Sequence, residues 1–168
     1  MTEIIVKKFF EIYLYIQIFI LYLCAFMKAA NSKYCQCMYF SSNALARRME
    51  KLANESWKKV DLTASHAYLL MLVIEEPGIQ PSAIVEQLLL TPSTITRLIE
   101  KLEEKKLVTR TTEGKLTNVY PTPKAKKMLP ELKDCVDHFY QAYSSILGKE
   151  ESARMAGNIN KLIDKLPV

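Results

Sequence analysis

Ser93, Thr94, Arg97 and Lys101 are the residues whose types and spacing best suggest chemistry. They lie opposite Ile95, Leu98, Ile99 and Leu102, which fall at i, i+3, i+4 and i+7, the spacing of one apolar stripe on a helix. Small hydroxyls and a guanidinium gathered at the N-terminal half of a helix are what hydrogen bonding to base edges and phosphates requires. Arg97 is the strongest candidate, because its planar fork can take two acceptors on guanine or clamp a phosphate. The plainer alternative is a surface arginine paired with Glu100 or Glu104.

Other reactive types are sparse. Cys24, Cys35, Cys37 and Cys135 show neither the spacing of a disulfide framework nor paired CxxC motifs, which fits a reducing cytoplasm. With only two histidines, His66 and His138, and no cluster of ligand types, neither a zinc site nor any cofactor is expected. His66 reads as a hydrogen-bonded structural histidine, with ligand contact or pH sensing as its alternatives. No nucleophile–base pair and no phosphate-cradling glycine loop is present, so nothing points to catalysis.

The candidate helix needs elements to hold it. Thr91-Pro92 is a start signal, since a threonine hydroxyl can accept from an orphan N–H and proline at the first position forfeits nothing. Before it, Gln80-Pro81 opens a short helix that turns Ile84, Val85 and Leu88 inward. After it, Leu107–Thr112 and Leu116–Tyr120 are β-prone runs around a Glu113-Gly114 turn. Helix, helix, hairpin is a winged helix-turn-helix. Upstream, 32–59 reads as one long helix and 61–75 as another capped by Thr63, ended by Pro77-Gly78. Trp57 is expected in a core or an interface, with the edge of a pocket as its alternative. Downstream, Thr122-Pro123 repeats the start signal, and Leu129, Leu132, Val136, Phe139, Tyr143 and Ile146 make a long stripe that wants a partner helix. Gly148 breaks it, and Met155, Ile159, Leu162, Ile163 and Leu166 form a second stripe.

At 168 residues, with 49% hydrophobic residues and four glycines, one mainly helical domain with a real core is expected. The net charge of +5 is modest, but nine Lys/Arg face only five Asp/Glu between Ile79 and Lys127. The positive charge therefore sits on the winged module, which fits a polyanionic partner or a solvated basic face. Residues 12–27, IYLYIQIFILYLCAFM, are a run of sixteen, slightly short of the about 20 that a membrane span needs. A signal sequence, a membrane anchor, and a translation start near Met27 are the competing readings. An extension dispensable to the fold, or an extra helix packed on a dimer, is favoured over a span.

The stretches TASHAYLLMLV, STITRLIEKLEEKKLVTR and YPTPKAKKMLPEL give the chain from about Ser32 to Leu166 a resemblance to the MarR family of bacterial transcription regulators. That resemblance implies a mainly α fold with a small β-hairpin wing. Residues 1–30 would be a hydrophobic extension and 31–168 the MarR-like domain, with 62–127 as winged helix-turn-helix and 31–60 plus 128–168 as dimerisation helices. It further implies a cytoplasmic homodimer on double-stranded DNA, with recognition helices roughly 34 Å apart and hence a palindromic operator. Pro92, Ser93, Thr94, Thr96, Arg97 and Lys101 of the recognition helix, with Arg110 and Lys115 of the wing, are the implied DNA contacts. Lys105 would touch a phosphate or face water. A small aromatic ligand between the dimer helices and the winged domain would release a repressor.

The chain departs from this family in two places. Members commonly carry a longer wing with an arginine near its tip, whereas here the tip is Thr112-Glu113-Gly114-Lys115. Lys106 stands where a helix-ending glycine is common, and a left-handed lysine costs about 1 kcal/mol. The stretch from Cys35 to Ser42 also resembles the first helix of the organic-hydroperoxide-sensing branch, with Cys35 at the reactive position and Tyr39 at a following tyrosine. That branch's further tyrosines have no counterpart, their places falling near Met49 and Ala64. Two alternative functions follow: a cysteine-based redox regulator of the same fold, and a membrane-tethered winged-helix interaction protein whose short wing has lost DNA binding.

Overall fold

The structure is a computed structural model that describes residues 28–114 and 116–166. The hydrophobic run 12–27, Cys24 and Lys115 lie outside the described residues. The described chain forms six α-helices and one two-stranded antiparallel sheet: α1 Met38–Trp57, α2 Ala64–Glu75, α3 Pro81–Leu88, α4 Pro92–Glu104, β1 Val108–Glu113, β2 Leu116–Pro121, α5 Pro123–Leu147 and α6 Lys149–Ile163. Two compact units are present, 1–48 and 49–168. Among the described residues no helix is long and apolar enough to cross a membrane.

In the first unit, the expected helix from Ser32 begins only at Met38. Residues 32–36 form turns instead. The Ser32 hydroxyl accepts from the Tyr34 N–H at 3.2 Å, and the Ser32 carbonyl from the Cys35 N–H at 3.1 Å. Local side-chain bonds of this kind compete with helix. Cys35 and Cys37 therefore precede α1 rather than lie on it.

The second unit is built around the helix-turn-helix. All four residues of the α4 stripe are buried, and each removes apolar surface worth about 1.5–3 kcal/mol. They meet Leu69, Leu70 and Val73 of α2, Ile84 of α3, Val108 and Val119 of the hairpin, and Leu132 of α5 in one core. Thr91 caps α4 as its sequence indicates, accepting from the Thr94 N–H at 3.3 Å. Thr122 does the same for α5, accepting from the Ala125 N–H at 3.2 Å. Thr63 occupies the N-cap position of α2, but its hydroxyl lies 2.7 Å from His66 Nδ1 and makes no capping bond.

Lys106 adopts the left-handed conformation at φ 58°. Its N–H donates to the Glu103 carbonyl at 2.8 Å, and the Leu107 N–H donates to the Leu102 carbonyl at 2.9 Å. This pair of bonds closes the end of α4 in a Schellman motif with lysine in the glycine position. The Thr122 hydroxyl donates to the Lys106 carbonyl at 2.9 Å, so the strained residue is held from outside the helix as well.

In the hairpin, Glu113 pairs with Leu116, so Glu113 belongs to the ladder and not, as expected, to the turn. A short bridge from Ile79 to Val119 adds a third rung, with the Gly78 N–H donating to the Val119 carbonyl at 2.8 Å. Gly78 needs to be glycine: φ is 92°, and a Cβ there would come within 3.1 Å of the Tyr120 ring.

Candidate nucleic-acid interface

The first turn of α4 concentrates hydroxyls. Thr91 Oγ1 lies 3.1 Å from Ser93 Oγ and 2.9 Å from Thr94 Oγ1, and the Thr96 hydroxyl donates to the Pro92 carbonyl at 3.0 Å. Pro92, Ser93, Thr96 and Arg97 are exposed and Thr94 is half-buried. Thr96 thus has its proton committed inside the helix and offers only acceptor capacity, which argues against it as a donor to bases. Arg97 makes no ion pair among the described residues. The alternative pairing with Glu104 is not formed, since Glu104 accepts from Lys101.

The flanking cations are engaged differently from the sequence expectation. Lys105, expected at a phosphate or in water, donates to the Asp61 carbonyl at 2.9 Å and to its carboxylate. Asp61 sits in a left-handed corner between the 3-10 turn that follows α1 and the start of α2, so this lysine ties the foot of α4 to that corner. The same contact holds the Asp61 carboxyl below the usual carboxylate range. Arg110 of β1 pairs with Glu103 of α4 at 2.6 Å, bracing hairpin against helix. Lys115, the wing-tip candidate, is outside the described residues. Arg97 is thus the cation of the α4 face left uncommitted, while Lys101, Lys105 and Arg110 each share a carboxylate.

Sequence reasoning missed the Lys105–Asp61 tie and the Arg110–Glu103 pair. No local signal exists for the first, whose partners are 44 residues apart. It also missed Pro130, which lies inside α5 without ending it.

His66 is half-buried at the third position of α2. Burial first, then the nearby Lys105 and Lys101 charges, holds its pKa below the ordinary imidazole value. A positive charge near a helix N-terminus is also opposed by the helix dipole. The neutral ring is therefore the folded form, and its stabilisation is present above about pH 6.5 and lost as pH falls from there towards the depressed folded value. Thermal melts across that window should show the wild type losing more stability than His66→Gln. Parallel profiles would remove His66 from the account.

Trp57 is completely buried, as expected, against Tyr68 at 5.3 Å and Phe139 at 5.6 Å between ring centroids. Its Nε1–H has no hydrogen-bond partner among the described residues. Phe139 continues to Tyr143 and Tyr140, an aromatic series that runs from the core to the surface of α5. Beside it, Ser56 Oγ lies 3.1 Å from His138 Nδ1, and Lys59 pairs with Asp134. In the first unit Cys35 and Tyr39 are both exposed.

Residues 60–115 match the family model described as MarR family. The middle third of the chain is thus similar to the MarR family. A Bacillus subtilis protein, the uncharacterized HTH-type transcriptional regulator YybA, is 26% identical over 121 residues, covering 70% of this chain and 81% of its own length. In fold, MepR of S. aureus in complex with DNA aligns with a TM-score of 0.66 at 22% identity, over 76% of this chain and 96% of the other. CouR of Rhodococcus jostii bound to p-coumaroyl-CoA aligns at 0.67 and 18% identity, over 84% and 99%. The mainly helical architecture with a two-stranded wing is the fold of these solved regulators.

Proposed function

We propose that this chain is a homodimeric, sequence-specific DNA-binding transcription regulator that reads a palindromic operator through α4 and represses until a small aromatic ligand or a stress signal releases it. The observation that carries the reading is Arg97: exposed, unpaired among the described residues, and mounted on a helix whose opposite face is locked into the core. Ser93 and Thr94 beside it supply short acceptors and donors for base edges or phosphates, with Pro92 fixing the helix start. Arg110 of β1 and Lys101, on the next turn of α4 towards its C-terminal end, are flanking phosphate contacts, joined by Lys115 on the strength of its sequence position. Residues 31–60 and 128–168 serve as dimerisation helices. In support, Ile146, Ile159, Leu162, Ile163 and Leu166 of the C-terminal segment leave an apolar face exposed in the single chain. A second copy would bury such a face.

The unpartnered Trp57 Nε1–H beside Tyr68 and Phe139 supports a ligand that brings a hydrogen-bond acceptor into an aromatic setting. MepR with DNA and CouR with p-coumaroyl-CoA are proteins of this fold that bind each kind of partner.

Fluorescence anisotropy on a labelled duplex from the gene's own upstream region, at two salt concentrations, tests the reading, with sedimentation equilibrium for the dimer. Saturable, salt-weakened binding that prefers this duplex over scrambled DNA is expected. Weak binding on every duplex tried would favour the winged-helix interaction protein instead.

A further inference from the structure

Resting on the regulator reading, we infer that Asp61 is a positioning residue for DNA reading: through Lys105 it fixes the direction in which α4 presents Arg97. Among the described residues, three that are not glycine have positive φ: Asp61 at 54°, Leu89 at 52° and Lys106 at 58°. Leu89 ends α3 in the turn before α4, and Lys106 follows the C-cap of α4. Asp61 accepts from Lys105, that C-cap residue. All three strained residues therefore stand at the mounts of one helix. A side chain tolerates this conformation poorly, and such residues persist where the surroundings over-determine them, as at preorganised sites.

Along its length α4 is held by its apolar stripe, an attraction without direction that leaves a helix free to pivot. Its 13 residues span about 20 Å, so a shift at the C-terminal end is returned at the N-terminal half, where Ser93 and Arg97 stand. Binding groups need to be held within about 0.5 Å of their productive place. Polar ties resist such a pivot, and they reach the C-terminal end of α4 from three directions. From the hairpin, Arg110 pairs with Glu103 at 2.6 Å. From the start of α5, the Thr122 hydroxyl donates to the Lys106 carbonyl at 2.9 Å and the Lys124 ammonium to the Lys105 carbonyl at 3.1 Å. From the corner before α2, Asp61 takes the Lys105 ammonium on its carbonyl at 2.9 Å and on its carboxylate. Asp61 is the firm end of that last tie, because Val60 and Leu62 on either side of it are both buried in the core. Glycine would suit the left-handed backbone better there, so the carboxylate is what an aspartate adds at this position.

The test is the ratio of affinities for the operator duplex and for scrambled DNA, measured by anisotropy on the full-length protein. A change of charge acts on both duplexes alike and cancels in this ratio. Asp61→Gly removes the carboxylate and relieves the backbone, so its Tm should stay within a few degrees of wild type. Its ratio should nevertheless fall roughly tenfold, the low end of what one misaligned bidentate base contact loses. Lys105→Met, which removes both bonds to Asp61, should lower the ratio at least as far, and adding Asp61→Gly to it should lower the ratio no further, as two ends of one tie require. A ratio within twofold of wild type in Asp61→Gly, or a double variant well below Lys105→Met, would overturn the inference. So would a Lys105→Met protein that loses affinity equally on both duplexes with a salt slope lower by about one, the mark of a phosphate contact. Those results leave a wild type that prefers its operator, and with it the regulator reading, intact; a wild type that does not discriminate overturns both.

Discussion

Arg97→Ala should weaken binding to the operator duplex by roughly ten- to a hundredfold, while binding to scrambled DNA changes far less. The magnitude is that of losing one bidentate base contact, about 1–3 kcal/mol. The fold itself should be unaffected, because Arg97 is exposed and the α4 stripe beneath it is Ile95, Leu98, Ile99 and Leu102. Anisotropy over a salt series separates the two roles the guanidinium can take. A loss confined to the operator marks base reading. An equal loss on all duplexes, with the salt slope falling by about one, marks a phosphate clamp. Arg97→Lys should recover little of a base-reading contact, since an ammonium cannot reproduce the planar fork. An Arg97→Ala protein that binds its operator within twofold of wild type would remove α4 as the reading helix.

The helix-turn-helix was legible because its signals are local. Thr91-Pro92 fixes the start of α4, and four apolar residues at helical spacing fix the buried face, so the exposed face follows by subtraction. Thr122-Pro123 is read the same way for α5. The hairpin was legible as an element but not to the residue. Glu113-Gly114 makes a plausible tip in sequence, but Glu113 is drawn into the ladder by the register, with Val108 opposite Pro121 and Arg110 opposite Val119. A one-residue slip would turn Val108 and Val119 out of the core. The beginning of α1 was misread because its apolar markers continue upstream of the place where the Ser32 bonds hold the chain in turns.

Charge was the least legible feature. A count of lysines and arginines marks the winged module as basic, yet it does not reveal that Lys105 closes on Asp61 or that Arg110 closes on Glu103. Those pairings depend on which helix end meets which corner, a consequence of the tertiary fold. Both pairs remain in contact with solvent, Asp61 being largely exposed and the other three side chains partly so, which limits what they contribute to stability. On the proposed function, they would reduce the cations free to meet DNA and leave Arg97 with a larger share of the recognition. The same limit applies to Trp57, whose burial was expected while the isolation of its indole N–H was not.

Trp57→Ala should destabilise the protein by about 3–5 kcal/mol, the cost of emptying a large aromatic site in a packed core. Trp57 is 0% exposed and joins the end of α1 to Tyr68 of α2 and Phe139 of α5, so the void would open where three elements meet. For a domain of this size that amounts to a fall of roughly 6–20 °C in Tm, measurable by thermal or denaturant unfolding. Trp57→Phe should behave differently. It gives up part of the packing but also deletes a buried donor without a partner, whose desolvation costs about 1–3 kcal/mol, so the two changes oppose each other and stability should move little. Retaining so costly a group in the core makes sense if its partner is a molecule that comes and goes. Trp57→Phe should then fold, bind the operator with wild-type affinity and fail to release it when an effector is added. If Trp57→Phe responds to effector as wild type does, the indole N–H has no part in ligand binding, and if Trp57→Ala melts within a few degrees of wild type, the core is not organised around this residue.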